Sequence, residues 1–316
     1  MNRLAAAASS VVAALILVAC GARDEAPRGC GLEGTTPLPD ASAELLYACS
    51  PEPNSRYRLD ILVVRPGEPA RLLTHGEGVN YRPSWSPDGR HIAFVSTRSG
   101  ATELHVMNAD GTGVLQITDS QAFVPNVNWS PDGARIVFAS TAAGITGPLG
   151  VSRVPSDIYL ARGDGSEARR LTLDGGYNAE PDWSPDGGRI AFTSDLGGTF
   201  QVWMMGSDGS GQRPLTSVGQ NSAPDWSPDG SQIVFDSDRD HHGNDSIYLM
   251  GADGSGQRPL ADDGIHPSWS RDGQWIVFES DRDGPNEIYA VHPDGSGLTQ
   301  VTHDGASKDE PEWGPA

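Results

Sequence analysis

Basic residues are scarce in this sequence of 316 residues. Its 22 lysines and arginines stand against 42 aspartates and glutamates, so the formal net charge at pH 7 is −20. A nucleic-acid-binding protein needs a basic stripe to neutralise phosphates, and a protein held on anionic lipid headgroups needs a polybasic segment. The charge therefore argues against both classes. It favours a soluble protein that meets cations or basic partners.

The motifs of common hydrolases are also missing. The chain has no G-x-S-x-G turn that could carry a catalytic serine and no H-E-x-x-H pair that could bind a catalytic zinc ion. We therefore expect a protein without enzymatic activity. A lyase-type enzyme, with a metal ion or a Brønsted base in a cleft, is the third-ranked alternative.

Long hydrophobic runs are absent except near the N-terminus. There the uncharged, mostly apolar stretch Leu4–Val18 is too short for a transmembrane helix. It leads into the letters LVAC, which end at Cys20 and resemble the lipobox of bacterial lipoproteins. The resemblance implies a signal peptide at 1–19, lipidation of Cys20 and a tether at 20–43. Because Gly21 is not an aspartate, it also implies the outer membrane, with attachment by the lipid alone; an ordinary signal peptide with a chance cysteine is the alternative.

Cysteine is rare as well, with 3 in the chain. Beyond Cys20 these are Cys30 and Cys49, and in the oxidising cell envelope an even pair indicates a disulfide bond. Such a bond would close a loop of about 20 residues and stabilise the fold by roughly 3 kcal/mol through chain entropy. Two free thiols are the alternative.

What the sequence contains in abundance is one repeat. The pentapeptide W-S-P-D-G begins at Trp85, Trp129, Trp183 and Trp226, W-S-R-D-G begins at Trp269, and E-P-E-W ends at Trp313. Successive tryptophans are 44, 54, 43, 43 and 44 residues apart. Each pentapeptide precedes an apolar stretch such as RIAFTS, a second one such as QVWMM, an Asp-Gly turn and a short last strand. Four strands in about 43 residues are typical of a β-propeller blade, and the almost continuously apolar second strand fits a sheet covered on both faces.

The repeated letters have a mechanical explanation. In Ser-Pro-Asp-Gly, proline presets the φ angle of the first central turn residue, aspartate accepts hydrogen bonds from the nearby backbone, and glycine adopts the positive φ that ends the turn. Tryptophan supplies a large apolar area that can pack between blades. The six repeat tryptophans are therefore interpreted as structural residues and not as an active site.

The two ends of the chain predict how the ring closes. Residues 44–75 contain strands two to four of a blade without its first strand, and the sequence DEPEWGPA from Asp309 contains a first strand without the rest. Joining them gives a six-bladed all-β propeller of four-stranded antiparallel blades over 44–316, which leaves no open sheet edge. The third blade carries about ten extra residues within 141–156, which are either a contact loop or a neutral insertion.

The whole pattern resembles the TolB-type β-propeller repeat, also described as a WD40-like Pro-Asp-Gly repeat. The shared features are P-x-W-S-P-D-G, I-x-F-x-S, E-I-Y-V-M, D-G-S-G and L-T, and they extend over residues 44–316. TolB proteins are periplasmic scaffolds that bind peptidoglycan-associated lipoprotein and other envelope proteins of the Tol–Pal system. Their propeller follows an α/β domain, whereas a lipid tether and a short linker are expected here. The resemblance therefore implies the fold more directly than the Tol–Pal role.

The candidate binding residues lie on the first strands, which line the central channel of a propeller. Positions one and three before each tryptophan should share one strand face. Three before, the residues are Arg82, Asn126, Glu180, Ala223, His266 and Glu310; one before, they are Ser84, Asn128, Asp182, Asp225, Ser268 and Glu312. Five of the twelve are carboxylates, whose mutual repulsion a bound cation or a basic partner loop would relieve. A solvated acidic rim without a ligand is the alternative.

Two acidic loops resemble calcium sites only superficially. The stretches Asp236–Asp240 and Glu279–Gly284 lack the glutamate that an EF-hand requires at loop position twelve, so they are interpreted as turns. The neighbouring His241 and His242 are interpreted in the same way rather than as a metal site.

These observations predict a monomeric cell-envelope lipoprotein whose propeller binds other proteins at an acidic channel mouth. Envelope proteins, including a peptidoglycan-associated lipoprotein, are the expected partners, and nucleic acid is not. The second-ranked alternative is a propeller that binds carbohydrate or another small ligand with the help of calcium. No cofactor is expected otherwise.

Overall fold

The computed structural model describes Cys30 and residues 44–314, apart from 51–58, 66–67, 120–125, 142–154, 241–244 and 304. Within this part of the chain, six four-stranded antiparallel sheets surround a central channel, which confirms the predicted six-bladed propeller. No helix among the described residues is long and apolar enough to cross a membrane. The expected signal peptide, Cys20, most of the tether, the insertion in the third blade, His241 and His242 lie outside the described residues.

The strands follow the predicted order of the repeat. In chain order they are β1 (Leu45–Ser50), β2 (Asp60–Val64), β3 (Arg71–Leu72), β4 (Asn80–Trp85), β5 (His91–Ser96), β6 (Glu103–Asn108), β7 (Leu115–Gln116), β8 (Val127–Trp129), β9 (Arg135–Thr141), β10 (Ser156–Arg162), β11 (Arg169–Arg170), β12 (Asn178–Trp183), β13 (Arg189–Ser194), β14 (Gln201–Gly206), β15 (Arg213–Pro214), β16 (Asn221–Trp226), β17 (Gln232–Ser237), β18 (Ser246–Gly251), β19 (Arg258–Ala261), β20 (Ile265–Trp269), β21 (Ile276–Ser280), β22 (Glu287–Val291), β23 (Thr299–Gln300) and β24 (Ser307–Trp313). Blade 1 has the strand order β24-β1-β2-β3, and blades 2 to 6 each take four consecutive strands from β4 to β23.

Strands from both chain ends close the ring, as expected. In blade 1, β24 pairs antiparallel with β1, so that Trp313 lies opposite Leu45 and Ser307 opposite Ser50. The first strand of this blade therefore comes from the end of the sequence and the other three from its beginning.

The hydrophobic core consists of layers between the blades. One layer combines Val137 and Leu160 of blade 3 with Trp183, Ile190 and Phe192 of blade 4. The second strands are buried along almost their whole length because both of their faces meet a neighbouring blade. This double coverage explains their continuous apolar sequence.

The W-S-P-D-G turn has the geometry that its residues favour. In blade 4, Gly187 N–H donates to Ser184 O over 2.8 Å, and Gly187 has a φ of 67°. Asp186 Oδ1 accepts from Ser184 Oγ at 2.5 Å and from Gly188 N–H at 2.9 Å. The turn thus closes the hairpin between the first and second strands from within.

Cys30 and Cys49 form a disulfide bond with their Cα atoms 5.9 Å apart. Tyr47 Oη donates to the Cys30 carbonyl oxygen over 2.8 Å, and both cysteines are fully buried in the layer between blades 1 and 6. The bond therefore holds a residue of the N-terminal stretch against β1.

The only lysine of the chain is buried where the ring closes. Lys308 is 0% exposed, and its Nζ lies 3.2 Å from Glu287 Oε2 of blade 6. Asparagines occupy the corresponding position in blades 2, 4 and 5; Asn221 Nδ2, for example, donates to Gln201 Oε1 of the preceding blade over 2.9 Å. The contact that is neutral in blade 5 is therefore an ion pair at the closing seam.

We expect Lys308→Ala to lower the free energy of unfolding by about 3–5 kcal/mol, because the Glu287 carboxylate would stay buried without its cation. Lys308→Asn, which restores the residue found in three other blades, should lose less, because its amide can still donate. Urea unfolding at pH 7 measures both values. Equal stability of the alanine variant and the native protein would contradict the inference.

Candidate functional site

The first strands bend where they reach the central channel. The residues three before the tryptophans will be called the floor residues. Five of them have positive φ angles, which are 50° at Arg82, 52° at Glu180, 47° at Ala223, 48° at His266 and 58° at Glu310. The ladder with the second strand slips beside each one, for example between Tyr81 and Ser84. In these five blades the regular alternation expected from the sequence therefore does not hold, since a bulge separates positions one and three before the tryptophan.

All twelve candidate residues nevertheless line one cavity of about 470 Å³. The residues one before the tryptophans will be called the collar residues. The repeat tryptophans and the prolines of the W-S-P-D-G turns also line the cavity, so it opens on the side of these turns. The floor residues form its inner end, the collar residues come next, and the turns form the mouth. We call this cavity the funnel.

A network of ionic side chains crosses the floor. The Arg82 guanidinium of blade 2 lies 2.5 Å from Glu310 Oε1 of blade 1 and 3.4 Å from Glu180 Oε1 of blade 4. Its Nη2 also lies 2.9 Å from His266 Nε2 of blade 6, and His266 Nδ1 lies 2.7 Å from Glu279 Oε1. Arg82 thereby contacts three other blades across the channel axis. This network closes the inner end of the funnel.

Side chains of the floor also join neighbouring blades through their backbones. Arg82 N–H donates to Glu310 Oε2 over 2.6 Å, and Ala223 N–H donates to Glu180 Oε2 over 2.9 Å. In each case the acceptor is the floor residue of the preceding blade. The strained floor backbone is therefore held by the neighbouring carboxylate.

At the floor positions of Ala223 and His266, a carboxylate of the second strand supplies the acceptor instead. Ala223 has no polar side chain, and Asp236 Oδ2 of the same blade accepts from the next floor backbone, His266 N–H, over 3.2 Å. In blade 6, Glu279 takes the place of His266 as the acceptor, since Glu279 Oε1 accepts from Glu310 N–H over 2.6 Å. The contacts of Asp236 and Glu279 with the floor backbone were not predicted from the sequence. Their signal was an acidic residue inside an otherwise apolar second strand, in FDS and FES.

The carboxylates of the collar bond to the tryptophan backbone of the next blade. Asp182 Oδ2 accepts from Trp226 N–H at 2.8 Å, and Asp225 Oδ2 accepts from Trp269 N–H at 2.7 Å. Glu312 Oε1 accepts from Trp85 N–H at 3.1 Å. On the blade 3 side, Asn128 Nδ2 donates to Asp182 Oδ1 over 2.6 Å. The collar is therefore a second ring of contacts between blades.

The charges of floor and collar are balanced differently. Burial opposes ionisation of Glu180, but Arg82 and several hydrogen bonds outweigh it, so the pKa of Glu180 lies below its ordinary value. In the collar, burial raises the pKa of Asp182 to about 7 and that of Glu312 to about 8. Burial and the nearby Asp182 together raise the pKa of Asp225. Within the described residues none of these three collar carboxylates forms a salt bridge.

The stretches Asp236–Asp240 and Glu279–Gly284 were interpreted as turns, but their first residues, Asp236 and Glu279, lie in the second strands β17 and β21. The arginines of the two stretches have a packing role. Arg239 Cζ lies 4.6 Å from the centre of the Tyr248 ring, and Arg282 Cζ lies 4.7 Å from that of Tyr289. Arg239 Nη2 also donates to Asn221 Oδ1 over 2.6 Å. Among the described residues, no group of three or more His, Cys, Asp or Glu side chains is arranged to hold a metal ion.

A family profile described as the TolB beta propeller domain matches residues 59–147 and 215–316, more than half of the chain. The Tol-Pal system protein TolB of Bordetella pertussis is 34% identical over 155 residues, which are 49% of this chain and 33% of that protein. A TolB homolog of Chlorobium luteolum is 32% identical over 133 residues, 42% of this chain and 28% of that protein. The chain thus matches about a third of the length of these curated relatives.

Solved structures show the same fold. TolB from Acinetobacter baumannii superposes with a TM-score of 0.75 at 23% identity, over 90% of this chain and 69% of that one. An oligogalacturonate lyase in complex with manganese gives a TM-score of 0.60 at 17% identity, over 78% of this chain and 71% of that one. At these identities the likeness concerns the fold alone.

We expect the free energy of unfolding to fall as the pH rises from 5 to 8. Because the folded-state pKa values of Asp182 and Glu312 are raised, the folded protein keeps protons that the unfolded chain has already released. Their contribution is complete below the unfolded pKa and is lost as the pH rises through the folded pKa. Each full proton of difference changes the free energy by about 1.4 kcal/mol per pH unit.

Urea unfolding at several pH values tests this expectation. The variant Asp182→Asn, Glu312→Gln should show a flatter dependence, because its amides do not titrate and still accept from the tryptophan N–H groups. A native slope that is zero or positive over this range, or one that the variant retains in full, would contradict the assignment.

Proposed function

The chain belongs to the TolB β-propeller domain family, and from this premise we propose that it is a non-catalytic scaffold of the bacterial cell envelope. Its funnel binds a segment of another protein, with basic side chains of that segment directed at the collar. The observation that carries the proposal is the collar itself: three carboxylates that line an open cavity without a salt bridge to any described residue.

The raised pKa values of the collar support a basic ligand. Burial disfavours the charged form of Asp182, Asp225 and Glu312. A ligand cation would stabilise the ionised carboxylates and relieve the repulsion between Asp182 and Asp225. In contrast, the floor carboxylates Glu180 and Glu310 already have Arg82 as a partner. The binding charge therefore resides in the collar rather than in the floor.

The shape of the funnel supports a protein segment as the ligand. The Arg82 network closes the inner end, so a ligand enters and leaves by the mouth. The exposed turn prolines, such as Pro185 and Pro228, line the cavity near its mouth and offer apolar contact area. A loop or a chain end with a basic residue among apolar ones matches both the charge and the wall.

The envelope location rests on the family and on the N-terminal sequence. Curated relatives are named as TolB proteins of the Tol–Pal system, and the letters before Cys20 resemble a lipobox. We propose that Cys20 carries a lipid that anchors the propeller to the outer membrane, facing the periplasm. A peptidoglycan-associated lipoprotein or a similar envelope protein is the proposed partner class.

Capture from envelope extract followed by direct titration tests the function. The collar variant Asp182→Asn, Asp225→Asn, Glu312→Gln removes three carboxylates but keeps acceptors for the tryptophan N–H groups. We expect the native protein to capture a defined envelope protein, and the collar variant to bind the purified partner at least about tenfold more weakly. Native binding should also weaken as the salt concentration rises from about 50 to about 300 mM, because the Debye length falls by roughly half over this range.

A matched control changes the same number of carboxylates elsewhere. Asp110→Asn, Asp164→Asn and Asp208→Asn change three exposed turn aspartates between third and fourth strands, away from the funnel. This variant should bind like the native protein. Equal binding by native protein and collar variant, or no specific capture by either, would refute the proposal.

A further inference from the structure

The mouth of the funnel has one irregular position. In blades 2 to 6 a W-S-x-D-G turn joins the first strand to the second, and x is proline in four of them. Blade 6 has Arg271 instead. In blade 1 the first and second strands, β24 and β1, come from opposite ends of the chain, so no such turn joins them. Arg271 therefore replaces proline in the turn that lies next to blade 1, where the rim of the funnel has no turn.

In three of the four other pairs of neighbouring turns, the proline of one turn lies close to the glycine of the next. A Cβ added to Gly230 would lie 3.6 Å from Pro185 Cδ, and one added to Gly273 would lie 3.9 Å from Pro228 Cδ. Over blade 1 this contact is replaced by Arg271, whose Nη1 donates to Pro87 O of blade 2 over 3.2 Å. The exposed side chain of Arg271 therefore extends from blade 6 to blade 2 across the top of blade 1.

This position brings a guanidinium to the collar. Arg271 lines the same cavity as the three collar carboxylates, and it lowers the pKa of Glu312 of blade 1 against the larger effect of burial. The other cationic residues that line the cavity in the described structure, Arg82 and His266, are held in the floor network. Arg271 is therefore the cation of the mouth.

We propose that Arg271 is the specificity-determining residue of the mouth, a tethered cation that competes with basic ligands for the collar. This inference rests on the proposed function, since it concerns what the collar accepts. A ligand cation must either displace the guanidinium from the field of Glu312 or bind near it and be repelled. Ligands with a single weakly placed charge are thereby rejected, and only a segment with several basic groups or a carboxylate for Arg271 binds well.

The repeat itself provides the substitution that tests the idea. Proline fits the position, since the turns with proline and the turn with Arg271 share the hydrogen bond from the glycine N–H to the serine carbonyl, for example Gly273 to Ser270 over 2.9 Å and Gly230 to Ser227 over 2.8 Å. Arg271→Pro should therefore fold and be at least as stable as the native protein. Arg271→Gln removes the charge without this backbone effect, and Arg271→Lys keeps the charge.

The probe is a fluorescein-labelled tetralysine peptide, titrated at low ionic strength with anisotropy as the readout. We expect Arg271→Pro and Arg271→Gln to bind it about three- to tenfold more tightly than the native protein, and Arg271→Lys to bind it like the native protein. Arg213→Gln in the exposed outer strand β15 makes the same change in net charge away from the funnel and should have a much smaller effect.

The variant Asp182→Asn, Asp225→Asn separates the two hypotheses. The inference is supported if this variant binds the peptide more weakly and if Arg271→Pro and Arg271→Gln strengthen binding more than Arg213→Gln does. If this variant binds the peptide more weakly but the Arg271 substitutions change binding no more than Arg213→Gln does, the role of Arg271 is overturned and the proposed function stands. Binding that does not depend on Asp182 and Asp225, or no binding at all, overturns the basic-ligand collar and the inference with it.

Discussion

The hydrogen bonds between innermost strands are the contact on which the funnel depends. Each sheet satisfies its own ladder, but the first strands have no further strand on the channel side. Their free N–H groups are therefore bonded by side chains of the preceding blade, as in Trp226 to Asp182 and Ala223 to Glu180. These bonds place carboxylates around the axis, and the apolar layers between blades hold them at fixed positions.

The same carboxylates serve stability in one ring and binding in the other. In the floor, Arg82 forms salt bridges with Glu180 and Glu310 and contacts His266, so the floor is an ionic network that joins four blades. In the collar, one oxygen of each carboxylate bonds a tryptophan backbone, but no described cation forms a salt bridge with it. The collar carboxylates, which accept the hydrogen bonds that join the blades, thus also form an acidic surface near the mouth.

Most of the fold could be predicted because local sequence repeats specify it. Turn residues, apolar second strands and tryptophans recur at nearly one period, and each acts within its own hairpin or against the next blade. The twelve channel residues were identified for a related reason, their constant distance from tryptophan. The roles of Asp236 and Glu279 were not predicted, because each replaces an acceptor that a residue of another strand, Ala223 or His266, does not supply.

The sequence by itself determined the blade, the number of blades, the closure by both chain ends and the acidic character of the channel, because these follow from residue order and composition. Only the tertiary structure decided which acids have a cation and which do not. Arg82 contacts Glu180 across 98 positions, and Arg271 contacts Pro87 across 184, because the ring brings distant blades to one axis. Pairing of charges depends on distance in space, and a repeat specifies only distance along the chain.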